Sequence, residues 1–572
     1  MNYFGIYHAE YTRSSGGICD APCVTKGRMS LCAYGLASEG QLIAMAEGRL
    51  RNRRALAAAL ECPANVDAAQ LVLRAYQAWG EAYPAHLEGP VLSCVLDAAA
   101  DAMVLSRDRM GEQPVFYARR GDSIVFSDHP DSLLKFDGGL ADMDADGMRE
   151  LFGLGPARTP GRTCYRDVRT VEPGCALVVR AGRERTARYF AIKDEPHGEG
   201  VEDTVRRTRE LLETCVADVA RLQPMVMLSG GLDSTSLTAL LRRVNDVVLS
   251  FSVDYLDNDR DFRPNAFRPE KDAPYVALAV RALGTQHRTV TLDQPALAHA
   301  LGRALALRGF PGMADVDASL LLFSSQIGRY GRNVVSGECG DEVFGGYPWF
   351  RGEAKGDGFP WSGSLELRES LLLPEVREAL KLKEYVCDTY ETRRAMADPG
   401  GGYPPEERRL RILQRLCFEY FMTNLQERAT CMGRGGGIRI LTPLCDERLV
   451  QYVYNVPWTM KFLDGQEKGL FRRAVADLLP EKLLRRRKSP YPKTCSPRYA
   501  EILREMALRM AEDADAPIFR WIDRTRVRAI AESDLNPVDT PWFGQLMAGP
   551  QLLGYLWQVN RWLEARKVRV EL

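Results

Sequence analysis

The sequence predicts an α/β protein in two parts, a strand-rich N-terminal part followed by a parallel sheet with helices on its faces. Three observations carry this. Residues 1–190 alternate short apolar runs with Gly, Asp and Arg turn signals. An apolar run at 225–228, a glycine turn, a helical period and a second apolar run at 247–253 make a strand–helix–strand unit, which demands parallel pairing. The remaining C-terminal portion reads as mostly helical.

In the first part, residues 124–127 and 175–180 are strand candidates. Residues 103–108 and 114–117 read as two strands joined across Gly111, and 71–83 as a helix. Residues 193–200 turn polar and contain Pro196, Gly198 and Gly200, which marks a linker. A helix is expected over 204–222, ahead of the strand–helix–strand unit. The segment 356–370, with Gly358, Pro360, Gly363 and Ser364, reads as an irregular surface excursion.

Composition narrows the function. The 572 residues hold 76 Lys+Arg against 76 Asp+Glu, so no basic excess argues for nucleic acid or an anionic membrane as partner. Hydrophobic residues at 45% and charged residues at 27% describe a globular chain, not a disordered one. At about 150 residues per domain, the length suggests two to four domains. The 14 cysteines are irregularly spaced, from Cys19, Cys23 and Cys32 to Cys495, with no CxxC pair, and the 6 histidines show no metal-ligand spacing. Buried, reduced thiols are expected. With no signal-peptide pattern and no apolar run of membrane length, the expected location is cytoplasmic.

The strongest local signal is Leu228-Ser-Gly-Gly-Leu-Asp-Ser234, between an expected strand and an expected helix. Gly230 and Gly231 let the backbone approach an anion, Ser229 and Ser234 add hydroxyl donors, and the helix start offers unpaired N–H groups. Asp233 belongs in such a cradle only if a divalent cation joins it to phosphates, as Mg²⁺ does. No GxxxxGK[ST] pattern occurs here, so the loop is not a Walker A loop. It should grip the pyrophosphate that leaves when ATP is split between its α and β phosphates.

A second acidic turn, Ser336-Gly-Glu-Cys-Gly-Asp-Glu-Val-Phe-Gly-Gly-Tyr347, follows two β-branched residues that end a strand. Glu338, Asp341 and Glu342 repel one another unless a cation or basic group joins them. Two cations stand downstream, Lys468 in a Glu-Lys-Gly-Leu-Phe-Arg run and Lys488 at the end of Arg485-Arg-Arg-Lys.

Together, in this order, these motifs resemble the asparagine synthetase family across nearly the whole chain. Arg107-Asp-Arg-Met-Gly111 with Gln113-Pro-Val-Phe-Tyr117 resembles a segment of that family's glutaminase domain, and 159–163 with 171–174 resembles its close. The resemblance implies an αββα N-terminal-nucleophile-like domain over 1–195, of the class II amidotransferase kind. It implies an ATP pyrophosphatase-type synthetase domain over 200–572, with a parallel sheet and a helical C-terminal region. It further implies ATP and Mg²⁺ as cofactors. Leu228, Ser229, Gly230, Gly231, Asp233, Ser234, Val253, Ser336 and Gly337 would bind ATP, and Asp233 and Asp341 would hold the metal. Lys488, Glu338 and Lys468 would form the catalytic set. The expected reaction joins ammonia or an amine to a carboxylate, aspartate or a relative, activated as its acyl-adenylate. The partners are then small molecules, and a homodimer is compatible with the sequence.

Two departures qualify the resemblance. The family's glutaminase uses a cysteine at position 2, and here Asn2 follows Met1, while Cys19 cannot supply a terminal amine. The nearest match to the glutamine-binding NGE segment is Glu47-Gly-Arg49. The first domain is therefore expected to lack glutaminase activity. The second departure is Glu427–Pro443, where the family's DRxSM…GLEVR stretch keeps only Arg428, Met432, Gly437 and Pro443. Thr430, Cys431, Arg439 and Leu441 replace its charged landmarks, and the glycines at 435–437 should loosen the segment. Asp317-Ala-Ser-Leu320 likewise stands where family members carry aspartate-binding residues. The ATP half reads as intact and the acceptor half as altered. Two other readings follow from that, an intramolecular amide former resembling β-lactam synthetase or a lasso peptide cyclase, and an ATP-binding regulator without turnover.

Overall fold

In the computed structural model, residues 2–7, 20–136, 141–264, 268–352, 358–535 and 540–571 are described. Met1, Cys19 and Gly356 lie outside them. The chain forms two compact units, one of residues 1–150, 158–192 and 566–572, the other of residues 151–157 and 193–565. The sequence division at 195 and 200 did not foresee the tail. Val568–Glu571 runs parallel to Ala141–Asp144 within the first unit, because Arg569 ion-pairs with Asp142 and Arg566 with Asp131.

The first unit stacks two six-stranded antiparallel sheets. Tyr3–Tyr7 lies inside one, between Met29–Ala33 and Ser123–Ser127. Ala102–Ser106 lies inside the other, between Val91–Asp97 and Cys175–Arg180. Strand alternation builds both cores. Cys175, Leu177 and Val179 enter the core between the sheets, while Ala176 and Val178 face the helix Ala68–Trp79 on the outer side. The strand is apolar along its length because both faces are covered. The helix Pro130–Phe136 covers the other sheet, with the Phe136 ring 6.1 Å from Phe4, which completes the αββα stack.

Two expectations for this unit are overturned. Residues 103–108 and 114–117 do not pair across Gly111: Ala102–Ser106 and Phe116–Arg120 belong to different sheets. Residues 107–115 cross between the sheets, and the buried Arg107 ties them by donating to the carbonyls of Gly111, Gln113 and Val171. Nor are all the cysteines reduced. Cys23 and Cys32 stand directly opposite each other on antiparallel strands, Cα atoms 4.0 Å apart, and form a disulfide.

The second unit is built on a five-stranded sheet, every pair parallel. In chain order the strands are Met225–Met227, Leu249–Tyr255, Gln286–Leu292, Asn333–Val335 and Arg439–Leu441, and in space they run third, second, first, fourth, fifth. The order reverses between the first strand and the fourth. In open parallel sheets, ligands bind in the crevice that such a reversal leaves at the carboxyl ends of the strands. The loops leaving these two strands are the glycine loop and the acidic turn. Behind the sheet the chain is mostly helical. Among the described residues, no helix is long and apolar enough to cross a membrane.

Two expectations for this unit also fail. Of the supposed surface excursion, the described part buries Phe359 and Trp361 (1% exposed), with the Trp361 ring 5.8 Å from Phe421, and Leu365–Leu371 is helical. The glycines at 435–437 do not loosen their segment. The helix Thr423–Gly435 packs along Asp315–Ile327, and a Cβ at Gly436 would stand 2.4 Å from Ser324 Cβ. Glycine is there because the two backbones touch.

Candidate active site

The glycine loop hangs between the first strand and the helix Leu232–Arg242, whose N-terminus faces the crevice. The Leu228 amide donates to the Phe251 carbonyl at 2.7 Å, which ties the loop to the neighbouring strand. Gly230 turns the chain at φ +70°. The hydroxyls of Ser229 and Ser234 lie 3.0 Å apart, and the Ser229 and Gly231 amides bond to them. Ser229, Gly231, Asp233, Ser234, Val253, Ser336 and Gly337 all line one cavity of the second unit. The Ser336 amide donates to Leu441 at 2.9 Å, so the fifth strand positions the acidic turn.

The carboxylates and cations named from sequence meet here. Lys468, 3% exposed, places its Nζ 2.5 Å from Asp233 Oδ2 and 2.6 Å from Asp341 Oδ1, while Lys488 Nζ stands 2.5 Å from Asp341 Oδ2. Burial pushes the Asp341 carboxyl up, but the two ammoniums outweigh it and hold it at about 2. Burial raises Asp233, and Asp341 beside it adds to the rise against the pull of Lys468. Burial alone would lower Lys488, but Asp341 and Asp233 reverse that and raise it. Asp341 is thus a carboxylate and Lys488 an ammonium at neutral pH.

The other two acidic residues of the turn are treated differently. Glu338 ion-pairs with Arg428, Nη1 to Oε1 at 3.2 Å. Arg428, 2% exposed, also faces Asp317 Oδ1 at 3.2 Å, and Asp317 faces Arg308 at 3.2 Å. Glu342 is buried and accepts from the Tyr347 hydroxyl at 2.8 Å. Burial first and the nearby Asp341 second push its carboxyl up to about 8, so it is protonated at neutral pH.

Glu342 therefore makes a stability prediction. Its folded-state value of about 8 exceeds the ordinary 4.5, so the folded protein binds the extra proton. The stability tied to it is present below pH 4.5 and is lost as pH rises through 8. Glu342→Gln keeps an acceptor for Tyr347 and removes the titration. Between pH 5 and pH 8, wild type should lose at least about 1.4 kcal/mol relative to this variant, the worth of one pKa unit. Urea midpoints of both proteins across that range test it, and a constant difference would clear Glu342 of the titration.

Sequence reasoning passed over Arg486. It donates to the Ser229 carbonyl at 3.0 Å and ion-pairs with Asp272, so the basic run braces the glycine loop from outside. The run of three arginines was the available signal, but only Lys488 in it was singled out. Asp233 and Asp341 suit a hard cation. Both are oxygen donors, and Asp233 Oδ1 is buried with no hydrogen-bond partner. Among the described residues no group of three or more His, Cys, Asp or Glu could hold a metal, so other ligands would have to complete the shell.

In the first unit the Asn2 amide donates to Asp128 Oδ2 at 2.9 Å and its side-chain amide to Glu47 Oε1 at 3.1 Å. A carboxamide, not a thiol, faces Glu47.

Residues 207–564 match the family model described as asparagine synthase, and residues 36–190 match one described as a glutamine amidotransferase domain. The chain is 36% identical over 512 residues to the glutamine-hydrolyzing asparagine synthetase 3 of Bacillus subtilis (strain 168), spanning 88% of this chain and 83% of the relative. It is 21% identical over 458 residues to asparagine synthetase 1 of the same organism, spanning 74% and 70%. Amidase chyE of Penicillium rubens is 26% identical over 299 residues, spanning 50% and 44%.

Proposed function

The chain belongs to the asparagine synthase family, whose members are ATP-dependent carbon–nitrogen ligases, and from that premise we propose that it forms an amide through an acyl-adenylate. One observation supports this above the others. The glycine loop and the acidic turn stand side by side at the strand-order reversal, with two carboxylates and two ammoniums at their meeting point.

The adenine and ribose would lie along Leu228, Val253, Ser336 and Gly337. The phosphates would lie over Ser229, Gly230, Gly231 and Ser234, toward the helix N-terminus. Asp233 and Asp341 would hold Mg²⁺, which supplies positive charge to the phosphate oxygens when bound. The donor carboxylate oxygen attacks the α phosphorus, the bond to the bridging oxygen breaks, and pyrophosphate leaves with the electron pair. Lys488 meets that growing negative charge, and Lys468 orients Asp233 and Asp341. The amine nitrogen then attacks the acyl carbon, AMP departs, and Glu338, held by Arg428, takes the proton the nitrogen loses.

Products and nitrogen source test this together. Turnover with ammonia should give AMP and pyrophosphate in equal amounts, and ADP as the stoichiometric product would sink the assignment. Glutamine should release no glutamate above a blank, because the Asn2 carboxamide is no nucleophile. ATP binding without turnover on any carboxylate would instead favour a regulator.

A further inference from the structure

Resting on the ligase reading above, we propose that Glu467 and Arg472 are positioning residues for Lys488. Together they fix the backbone that carries it, so that its ammonium faces the departing pyrophosphate. Among the described residues, none between Leu484 and Pro497 belongs to a helix or strand. Regular hydrogen bonding therefore does not hold Lys488, and the main chain around it needs other partners. Arg472 supplies them. It is buried, its Nη2 donates to the Arg486 carbonyl at 3.0 Å, and its Nη1 donates to the Leu484 carbonyl. Glu467 completes the hold. Its Oε1 stands 2.8 Å from Arg472 Nη2 and accepts from the Lys488 amide at 3.3 Å, while its Oε2 faces Arg351 at 3.5 Å. Arg472 Nε donates back to the Glu467 carbonyl at 2.8 Å, which closes the unit.

The same unit relates the two lysines. Glu467 precedes Lys468, which stands at the start of the helix Gly469–Ala474 with a left-handed φ of +57°. One carboxylate thus joins the chain at Lys468 to the chain at Lys488, and the two ammoniums reach different oxygens of Asp341. Like charges so placed repel, and in the resting site Asp341 offsets that repulsion. Once Lys488 turns to pyrophosphate, its position rests on the main chain instead. A displacement of about 1 Å at such a contact can cost about 100-fold in rate. Arg486 is seated on the Ser229 carbonyl and Asp272, so the segment runs from the glycine loop to the acidic turn with Arg472 gripping it in between.

The test is a double-mutant cycle on pyrophosphate release, with ATP, Mg²⁺, ammonium chloride and a panel of free carboxylates that includes aspartate. Glu467→Gln keeps the length of the side chain and loses the charge that grips Arg472. Arg472→Lys keeps a cation for Glu467 and loses the fork that spans two carbonyls. Each should lower turnover by about ten-fold or more while ATP affinity stays within a few-fold. Calorimetric ATP titration reads that affinity and shows that each variant is folded. In a Lys488→Ala background, either change should cost less than about three-fold further, because residues acting as a unit do not lose their effect twice. Losses that multiply in full in the double variants, or ATP affinity that falls in step with turnover, assign the pair a purely structural role and overturn the proposal. Wild-type turnover in both single variants overturns it as well. In each of these cases the unaltered protein still releases pyrophosphate and the ligase stands. Silence of the unaltered protein on the whole panel, ATP still bound, overturns the ligase reading and this proposal with it.

Discussion

Lys488→Ala should lower turnover by about 100-fold or more while leaving ATP affinity within a few-fold. In the resting site Asp341 has two ammoniums, Lys488 at 2.5 Å and Lys468 at 2.6 Å. Removing one leaves Asp341 matched by the other, so the loop keeps its shape and nucleotide binding survives. What is lost is the charge that meets pyrophosphate as the α–β bond breaks, a contribution belonging to the transition state. Lys488→Arg should restore turnover only in part. A planar fork does not replace a compact ammonium, and the Tyr347 ring, 5.8 Å from Nζ, limits where the fork can lie. Pyrophosphate release by wild type and both variants, beside calorimetric ATP titration, decides it. Equal turnover in wild type and Lys488→Ala would show that the cation acting on pyrophosphate is another one.

The glycine loop could be read from sequence because its chemistry is local. A strand, two glycines, two serines and a helix start fix their own geometry within seven residues, and the structure builds them accordingly. The convergence of Asp233, Asp341, Lys468 and Lys488 is not local, since Lys468 and Asp233 are 235 residues apart. It followed from the family resemblance and from the rule that clustered carboxylates need cations. The failures share the opposite cause. At 435–437 the residue that decides is Ser324, more than a hundred positions upstream, so the glycines could be read only as freedom. Residues 103–117 look like a hairpin by composition, but Arg107 pins the connection across two sheets. The Cys23–Cys32 pair had a local signal that went unused. Both sulfurs sit equally far from the turn at Gly27 and Arg28, which places them opposite each other once the strands pair.

Asp317→Ala should cost about 3–5 kcal/mol of stability, the penalty for removing one member of a buried charge network. Asp317 is 1% exposed and stands between Arg308 and Arg428, each at 3.2 Å. Its Oδ2 also accepts from the Met313 amide at 3.0 Å, which fixes the start of the helix Asp315–Ile327. Alanine would leave two buried guanidiniums facing each other with one carboxylate fewer. The cost should therefore come from stranded charge rather than from lost volume. Replacing all three residues by apolar ones, Arg308→Met with Asp317→Leu and Arg428→Met, should regain part of the stability, since the facing guanidiniums are gone while Glu338 and the buried Glu427 lose the arginines beside them. Urea unfolding of wild type, the single variant and the triple variant tests both statements. A cost under about 1 kcal/mol for Asp317→Ala, the range of exposed pairs, would mean that water reaches the network. Turnover should not follow stability. The triple variant lacks Arg428, so Glu338 loses the partner that aims it into the cavity, and amide formation should stay low in a protein more stable than the single variant. That split identifies Asp317 as the residue that seats Arg428, and Arg428 as the one that positions Glu338.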